Sequence, residues 1–467
     1  MGSRISKQLA ALVATVVVLA GACAAGPSSS PGGGQGPQGP AAQSGSIAVP
    51  SLPSASAVAV PSLAPATLEL WLGGILTTST PGTSYRQWVD AQIARFKQLF
   101  PGSDVNVTLL PQNNDQSAAQ VAAAFAANNA PDVMMLYTGT MTSVYESKLL
   151  RLNNYIDATP GYYDSQTNWD GSCDKWDCQN GKGVIFSIPA DTYMYVNFYR
   201  KDLFAKAGIA APPTTWDETY ADCAKLKKIG VYGFIWGDRD GYATVTTMDE
   251  DLVSYLNPGE WRGGLDNTLK FTDPRFIASL TSIDKLKDIG CVQPDYATRE
   301  QLDSASDFLT GKGAMFVGQP QFLPYWTKIA DQIGVAPVPQ GGTGPNLGKT
   351  AAGSGEDWMI PTGAKNPDLA WQLIKIFTDD TAGLSMPALL GSPPANKTAQ
   401  AAVTDPLVKA IGLLSQQGVM GFYDNIVPQD VALYWYKHLN LAFAGKETPL
   451  QAEQATQQQM DIDIPPK

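Results

Sequence analysis

From Thr67 to Leu136 the chain switches repeatedly between two hydrophobic periods, and that alternation leaves few folds open. Leu68, Leu70 and Leu72 alternate with Glu69 and Trp71 and stop at Gly73-Gly74, the period of a strand. Tyr85, Trp88, Val89, Ile93, Phe96 and Phe100 then fall at helical spacing until Pro101-Gly102 ends the run. Val105, Val107 and Leu109 alternate again, residues 115–129 are alanine-rich with a helical pattern, and Asp132 to Leu136 is a short apolar strand. Strand–helix–strand–helix–strand predicts a mostly parallel sheet with helices on both faces, an α/β fold. In such sheets ligands bind beyond the carboxyl ends of the strands, here Gly73–Thr78 and Tyr137–Thr142. Further on, Tyr193–Tyr199 reads as a strand and Lys201–Ala207 as a helix ended by Gly208. Thr215 followed by Glu218 three residues later predicts a capping box that starts a helix running to Ile229.

Upstream of this pattern the chain has a different character. Arg4 and Lys7 precede an apolar stretch from Leu9 to Ala20, too short to span a bilayer comfortably, so residues 1–22 are expected to be a secretory signal. The run Leu19-Ala20-Gly21-Ala22-Cys23 resembles a bacterial lipoprotein signal, which implies Cys23 as a lipid anchor on the extracytoplasmic face of the cell membrane. The commonest form puts Leu three residues before the Cys; here Leu19 is four before it. The alternative is a plain secretory signal. Residues 24–66 carry no charge and no aromatic and are almost wholly Ala, Gly, Ser, Pro, Gln and Val. Such a stretch cannot bury enough apolar surface to offset its ordering entropy, so 23–66 is expected to be a disordered tether with a reach of roughly 35 Å. About 400 residues follow, more than one core usually serves, which favours two lobes.

Removing the signal takes away Arg4 and Lys7 and no acid, moving the formal net charge from −11 to −13. An acidic body argues against nucleic acid. Charged residues are only 16%, while Trp and Tyr number 11 and 18, a balance that suits an uncharged ligand. Four cysteines remain beyond Cys23. In an oxidising compartment an even count predicts disulfides, Cys173–Cys178 and Cys223–Cys291. A zinc site is the weaker alternative, since Cys-x4-Cys has no second such motif and His438 is the one histidine. No cofactor or metal is expected.

Five blocks carry a family resemblance. Ala124–Asp157, AFAANNAPDVMMLYTGTMTSVYESKLLRLNNYID, and Ile188–Trp216, IPADTYMYVNFYRKDLFAKAGIAAPPTTW, resemble segments of the sugar-binding proteins of ABC importers. Phe308–Gly318, FLTGKGAMFVG, is similar to a third, and Gly334–Gly341 and Ala351–Ala370 to its later blocks. The family includes maltose-binding protein. The resemblance implies two α/β lobes joined by chain crossings, with the ligand in the cleft between them. It places lobe one at 67–189 and 336–385 and lobe two at 190–335 and 386–467. It also implies a monomeric binding protein rather than an enzyme, with a carbohydrate ligand and a membrane permease as partners.

A sugar offers hydroxyl edges and apolar faces, so its cleft needs flat rings together with Asp, Glu, Asn, Gln or Arg. The resemblance directs attention to Ser354, Glu356 and Trp358 in the Gly353–Trp358 block. It also directs attention to Asp238, Arg239 and Tyr242 in Gly237–Tyr242, and to Asp191 and Tyr193 after the expected first crossing. Gln319 and Gln321 stand where relatives place a stacking ring, which Phe322, Tyr325 or Trp326 could supply. Trp71, Tyr137 and Trp236 at strand ends are further candidates, and Asp424 and Asn425 weaker ones. The bland readings are a turn before a packed Trp, a solvated turn, a hinge hydrogen bond and core aromatics. His438 is expected to be structural. Gly341–Thr350 ends like a phosphate loop but has Thr343 where a glycine is required. Glu356-Asp357 as a glycosidase pair lacks an opposing carboxylate, and Asp170, Asp174 and Asp177 lack calcium-loop spacing.

Overall fold

The computed structural model describes residues 61–466 apart from 80, 112–113, 139–141 and 174–182. The expected signal, the tether as far as residue 60, Cys23 and Cys178 lie outside the described residues. No helix among those described is long and apolar enough to cross a membrane.

Two sheets organise the chain. The first contains β1 (Thr67–Leu72), β2 (Asp104–Leu109), β3 (Val133–Tyr137) and β4 (Ile188–Pro189). The second contains β5 (Val196–Arg200), β6 (Tyr232–Phe234), β7 (Gly313–Gly318) and β8 (Ile333–Ala336). The chain then makes β9 (Thr350–Ala351), returns to the first sheet as β10 (Glu356–Met359), and later forms β11 (Gly418–Met420). The first sheet runs β2-β1-β3-β10-β4 and the second β6-β7-β5-β8. β1 pairs parallel with β2 and β3, as the alternating periods predict. β10 is antiparallel to β3 and β4, because the chain re-enters this sheet from the second one rather than through a crossover helix. The second sheet is mixed: β5 is antiparallel to both neighbours and β6 parallel to β7.

Each sheet has its own core. Leu68, Leu70 and Leu72 are fully buried with Trp88, Phe96 and Trp358. The helix Ser84–Leu99 docks on the later helices Pro367–Phe377 and Asp380–Leu390, with Trp88 Nε1 donating to Ala382 O at 3.1 Å and its ring 5.3 Å from Phe377. Ala382, Met386 and Leu390 all join that core, so Asp380–Leu390 packs as one piece. The second core gathers Phe234, Trp236, Leu280 and Trp435, the last from the helix Gln429–Phe443. Cys223 and Cys291 are bridged there. The bridge closes a separation of 68 residues, and loop-closure entropy makes that about 4 kcal/mol. The predicted capping box is present, with Glu218 N donating to Thr215 Oγ1 at 3.2 Å.

Three chain segments cross between the sheets and are laced together. Tyr193 and Gly353 exchange both backbone hydrogen bonds, at 2.8 and 3.0 Å, and Thr192 N donates to Pro393 O at 2.8 Å. β9 and β11 pair in parallel alongside. Behind them lies the helix Tyr242–Leu252, buried along nearly its whole length despite Asp249-Glu250-Asp251. A buried carboxylate is tolerated only where donors meet it. Glu250 accepts Tyr195 N at 3.2 Å and Ala351 N at 3.0 Å, one from each of two crossings. Asp251 accepts Gly341 N at 2.7 Å and the Ser279 hydroxyl at 2.6 Å, and Asp249 accepts Tyr423 N at 3.1 Å.

Candidate functional site

A cleft of about 340 Å³ opens between the two sheets. Its first-sheet wall is Tyr137 and Thr138 at the end of β3 with Gly355 and Glu356 at the start of β10. That is the carboxyl end of a parallel strand, as the strand pattern requires. Tyr193 and Tyr195, on the first crossing, form the back. The second-sheet wall carries Asp240, Tyr242, Gln319, Gln321, Phe322 and Tyr325. The rest comes from Asp424, Asn425 and one face of the helix Gln429–Phe443, where Gln429, Ala432, Leu433 and Tyr436 follow at helical spacing.

Close backbone approach sets two of these groups. Gly241 has φ +80°, and a Cβ there would lie 1.9 Å from Tyr436 O. Only glycine lets the loop reach that helix, which brings Asp240, Tyr242 and Tyr436 together. A Cβ on Gly355 would stand 2.3 Å from the Tyr193 ring, so the chain before Glu356 passes directly against it.

The rings meet mostly edge to face. Tyr195 lies 5.3 Å from Tyr193 and 6.2 Å from Tyr242, which lies 6.0 Å from Tyr436. The Tyr195 and Tyr242 hydroxyls are 2.9 Å apart, and Tyr436 donates to Asp424 Oδ2 at 2.6 Å. Burial pushes the Tyr137, Tyr193, Tyr195 and Tyr436 phenols well above their ordinary range, and Tyr242 up to about 12. They stay protonated at any physiological pH. Burial pushes the Asp424 and Asp249 carboxyls up, and their mutual repulsion raises Asp249 further.

The sequence candidates divide sharply. Tyr137, Tyr193, Tyr242, Gln319, Gln321 and Glu356 line the cleft, with Phe322 and Tyr325 as rings beside the two glutamines and Asp424 and Asn425 below. Other candidates are committed elsewhere. Asp191 is a hinge group: it accepts Gly355 N at 2.9 Å and the Gln321 amide at 3.3 Å, and desolvation raises it to about 6. Asp238 is wholly buried and caps the helix after it, accepting Thr244 N and its hydroxyl at 2.9 Å each, and burial raises it to about 7. Arg239 is 62% exposed and paired with Glu300. Ser354 donates to Glu356 O at 2.6 Å. Trp358 stacks on Phe377 at 4.4 Å, Trp236 packs on Phe443 at 5.4 Å, and Trp71 lies half-buried against a small apolar cluster under β3. Trp326 is fully buried, its indole donating to Ala305 O at 2.9 Å.

Tyr195, Asp240, Gln301, Leu302 and Tyr436 were not among the sequence candidates. The stripe Gln429, Ala432, Leu433, Tyr436 is the signal that could have shown Tyr436.

Rival chemistries lose their groups in the same way. Asp357 accepts from Ser187, Ser172 and Thr138 at 2.5, 2.7 and 3.0 Å, on the strand face opposite Glu356. The glycine-rich loop spends its amides on protein acceptors: Gly341 on Asp251, Gly342 on Ser254 at 2.9 Å, and Gly348 on Gln340 at 2.7 Å. A phosphate would find a carboxylate there. His438 is buried with Nδ1 2.8 Å from Glu447. The Cys223–Cys291 bridge removes both thiols from any zinc set, and no cluster of metal-binding side chains occurs among the described residues.

Residues 77–383 match the family of bacterial extracellular solute-binding proteins. The chain belongs to that family. It is a family of binding proteins, not of enzymes. This solute-binding protein is 28% identical over 199 residues to a Brucella abortus chain described only as a binding protein, covering 41% of this chain and 46% of that one. It is 24% identical over 240 residues to the sn-glycerol-3-phosphate-binding periplasmic protein of Salmonella typhimurium, covering 49% of this chain and 52% of that one. The chain thus spans about half the length of the curated relatives it matches. The structure of a chitin oligosaccharide binding protein superposes with a TM-score of 0.72 at 21% identity, over 85% of this chain and 98% of that one. That likeness is one of fold, the two-lobed architecture of periplasmic binding proteins.

Proposed function

We propose that this protein captures a carbohydrate between its lobes, closes over it, and delivers it to the permease of an ABC importer while tethered to the membrane by lipid on Cys23. The observation that carries the reading is the cleft itself. Tyrosine and phenylalanine faces from both sheets meet there with glutamine and carboxylate oxygens, the combination a sugar's apolar faces and hydroxyl edges require. The superposition on a protein described as binding chitin oligosaccharides supports it. The lobe limits 67–189 with 336–385 and 190–335 with 386–467 are part of the proposal; the two separate cores support the division, while Met386 and Leu390 pack in the first core and Val338 and Ala351 in the second. Closure needs only that the solute contacts both walls when they meet. The protein acts as a monomer, since nothing in the cycle calls for a second copy.

Calorimetry with a panel of oligosaccharides, neutral and aminated, tests the binding claim. The expected result is saturable binding at micromolar or tighter affinity, weakened at least tenfold in Tyr242→Ala, by analogy with the cost of losing a stacking ring. Absence of binding across the panel overturns it. For the anchor, intact mass of membrane-derived protein should exceed the peptide mass from Cys23 by that of the acyl groups, and Cys23→Ser should release the protein from the membrane.

A further inference from the structure

We propose that the solute carries a cationic nitrogen, as in an aminated sugar, held between Asp240 and Asp424 against the rings of Tyr242 and Tyr436; this rests on reading the cleft as a saccharide site. A neutral sugar both donates and accepts at each hydroxyl, so a lining matched to it presents both roles. This lining is one-sided. Among its described residues Asp240, Glu356 and Asp424 are acidic and none is Lys, Arg or His. The nearby guanidinium of Arg239 is paired with Glu300 outside it. Two phenol protons at this end are already used, that of Tyr436 on Asp424 and one of the Tyr195–Tyr242 pair between those two hydroxyls.

Among the buried lining atoms left without a partner, acceptors outnumber donors: the oxygens of Gln319 and Gln321 and the carboxylate oxygen Asp424 Oδ1 stand against one nitrogen, Gln301 Nε2. Gln321 is only 5% exposed, yet its Oε1 has no partner while its amide is held by Asp191. Gln319 Oε1 is likewise buried without a donor. An ammonium brings three donors and a positive charge to such a set, and the faces of Tyr242 and Tyr436 add cation–π attraction. Asp424 stands against a second carboxyl, Asp249, a like-charge contact that a neighbouring cation relieves. The same lining disfavours a phosphate ester, the ligand named for the Salmonella relative, because no described group there neutralises it.

The test is calorimetry at pH 7 on the full mature chain with sugar pairs that differ only in hydroxyl against ammonium. Glucosamine oligomers paired with cellulose oligomers, and galactosamine paired with galactose, serve this purpose. The aminated member should bind at least about tenfold more tightly, an advantage that shrinks as salt rises. Asp424→Asn should weaken the aminated member about tenfold more than the neutral one. Should Asp424→Asn misfold, Asp240→Asn on the exposed loop should give the same differential in smaller measure. Equal or tighter binding of the neutral members overturns this proposal and leaves the saccharide reading standing. If no member of either series binds, both fall.

Discussion

Two groups of acids stand within one turn of the fold from each other and do opposite work. Asp249, Glu250 and Asp251 lie behind the cleft on a helix sealed from solvent, and each receives a backbone N–H from a distant chain segment. Asp240 and Glu356 stand on the cleft wall. The first group spends its charge on joining the crossings; the second lines the cleft. The residue type is the same, so the difference lies in which donors the fold brings up. Asp424 belongs to both, touching Asp249 on one side and lining the cleft on the other.

The comparison is easiest to break at Glu250. Glu250→Ala strands the amides of Tyr195 and Ala351 in the interior. At about 1–3 kcal/mol for each orphaned group, chemical denaturation should show a loss of roughly 2–5 kcal/mol. Glu250→Gln, which keeps one acceptor oxygen, should lose less. A loss below about 1 kcal/mol for the alanine variant would mean the crossings do not depend on this carboxylate.

Acidity sharpens the contrast next. Burial raises Asp191 and Asp251 to about 6 and Asp238 to about 7. The folded protein therefore binds more protons than the unfolded chain between about pH 4 and 7. The stability these groups contribute is complete near the bottom of that window and is lost as pH rises through their folded values. Asp273 works the other way, held low by Arg275, and costs stability only below about pH 4. Thermal unfolding should give a higher Tm at pH 5 than at pH 8; a Tm that rises over that interval contradicts the assignment of these acids as buried. The smallest effect is expected at the wall, where Asp240→Asn should change stability by less than about 0.5 kcal/mol.

The outline of the first lobe was legible because period-2 and period-3.6 runs are local, and β1, β2, β3 and their helices follow them closely. The disulfide followed from cysteine parity and compartment. The antiparallel return of β10 was not legible, since its partners β3 and β4 lie over 150 residues upstream. At the site, family blocks led to loops that line the cleft but not always to the side chains that face it. In Gly237–Tyr242 the buried Asp238 and outward Arg239 precede the cleft-lining Asp240. Which of three consecutive polar residues turns inward depends on Gly241 meeting the helix of Tyr436, a contact across almost 200 residues. Trp236 and Trp358 failed as ligand platforms for a simpler reason: large rings at strand ends repay burial in the core.

Small-angle scattering of the mature chain, titrated with the saccharide panel, tests the central claim most directly. A solute captured between two lobes must draw them together, so the radius of gyration should fall and saturate with the same midpoint as the binding heat, and Tyr242→Ala should shift both midpoints together. Heat of binding without compaction, or neither signal from any saccharide, would contradict capture by closure of this cleft.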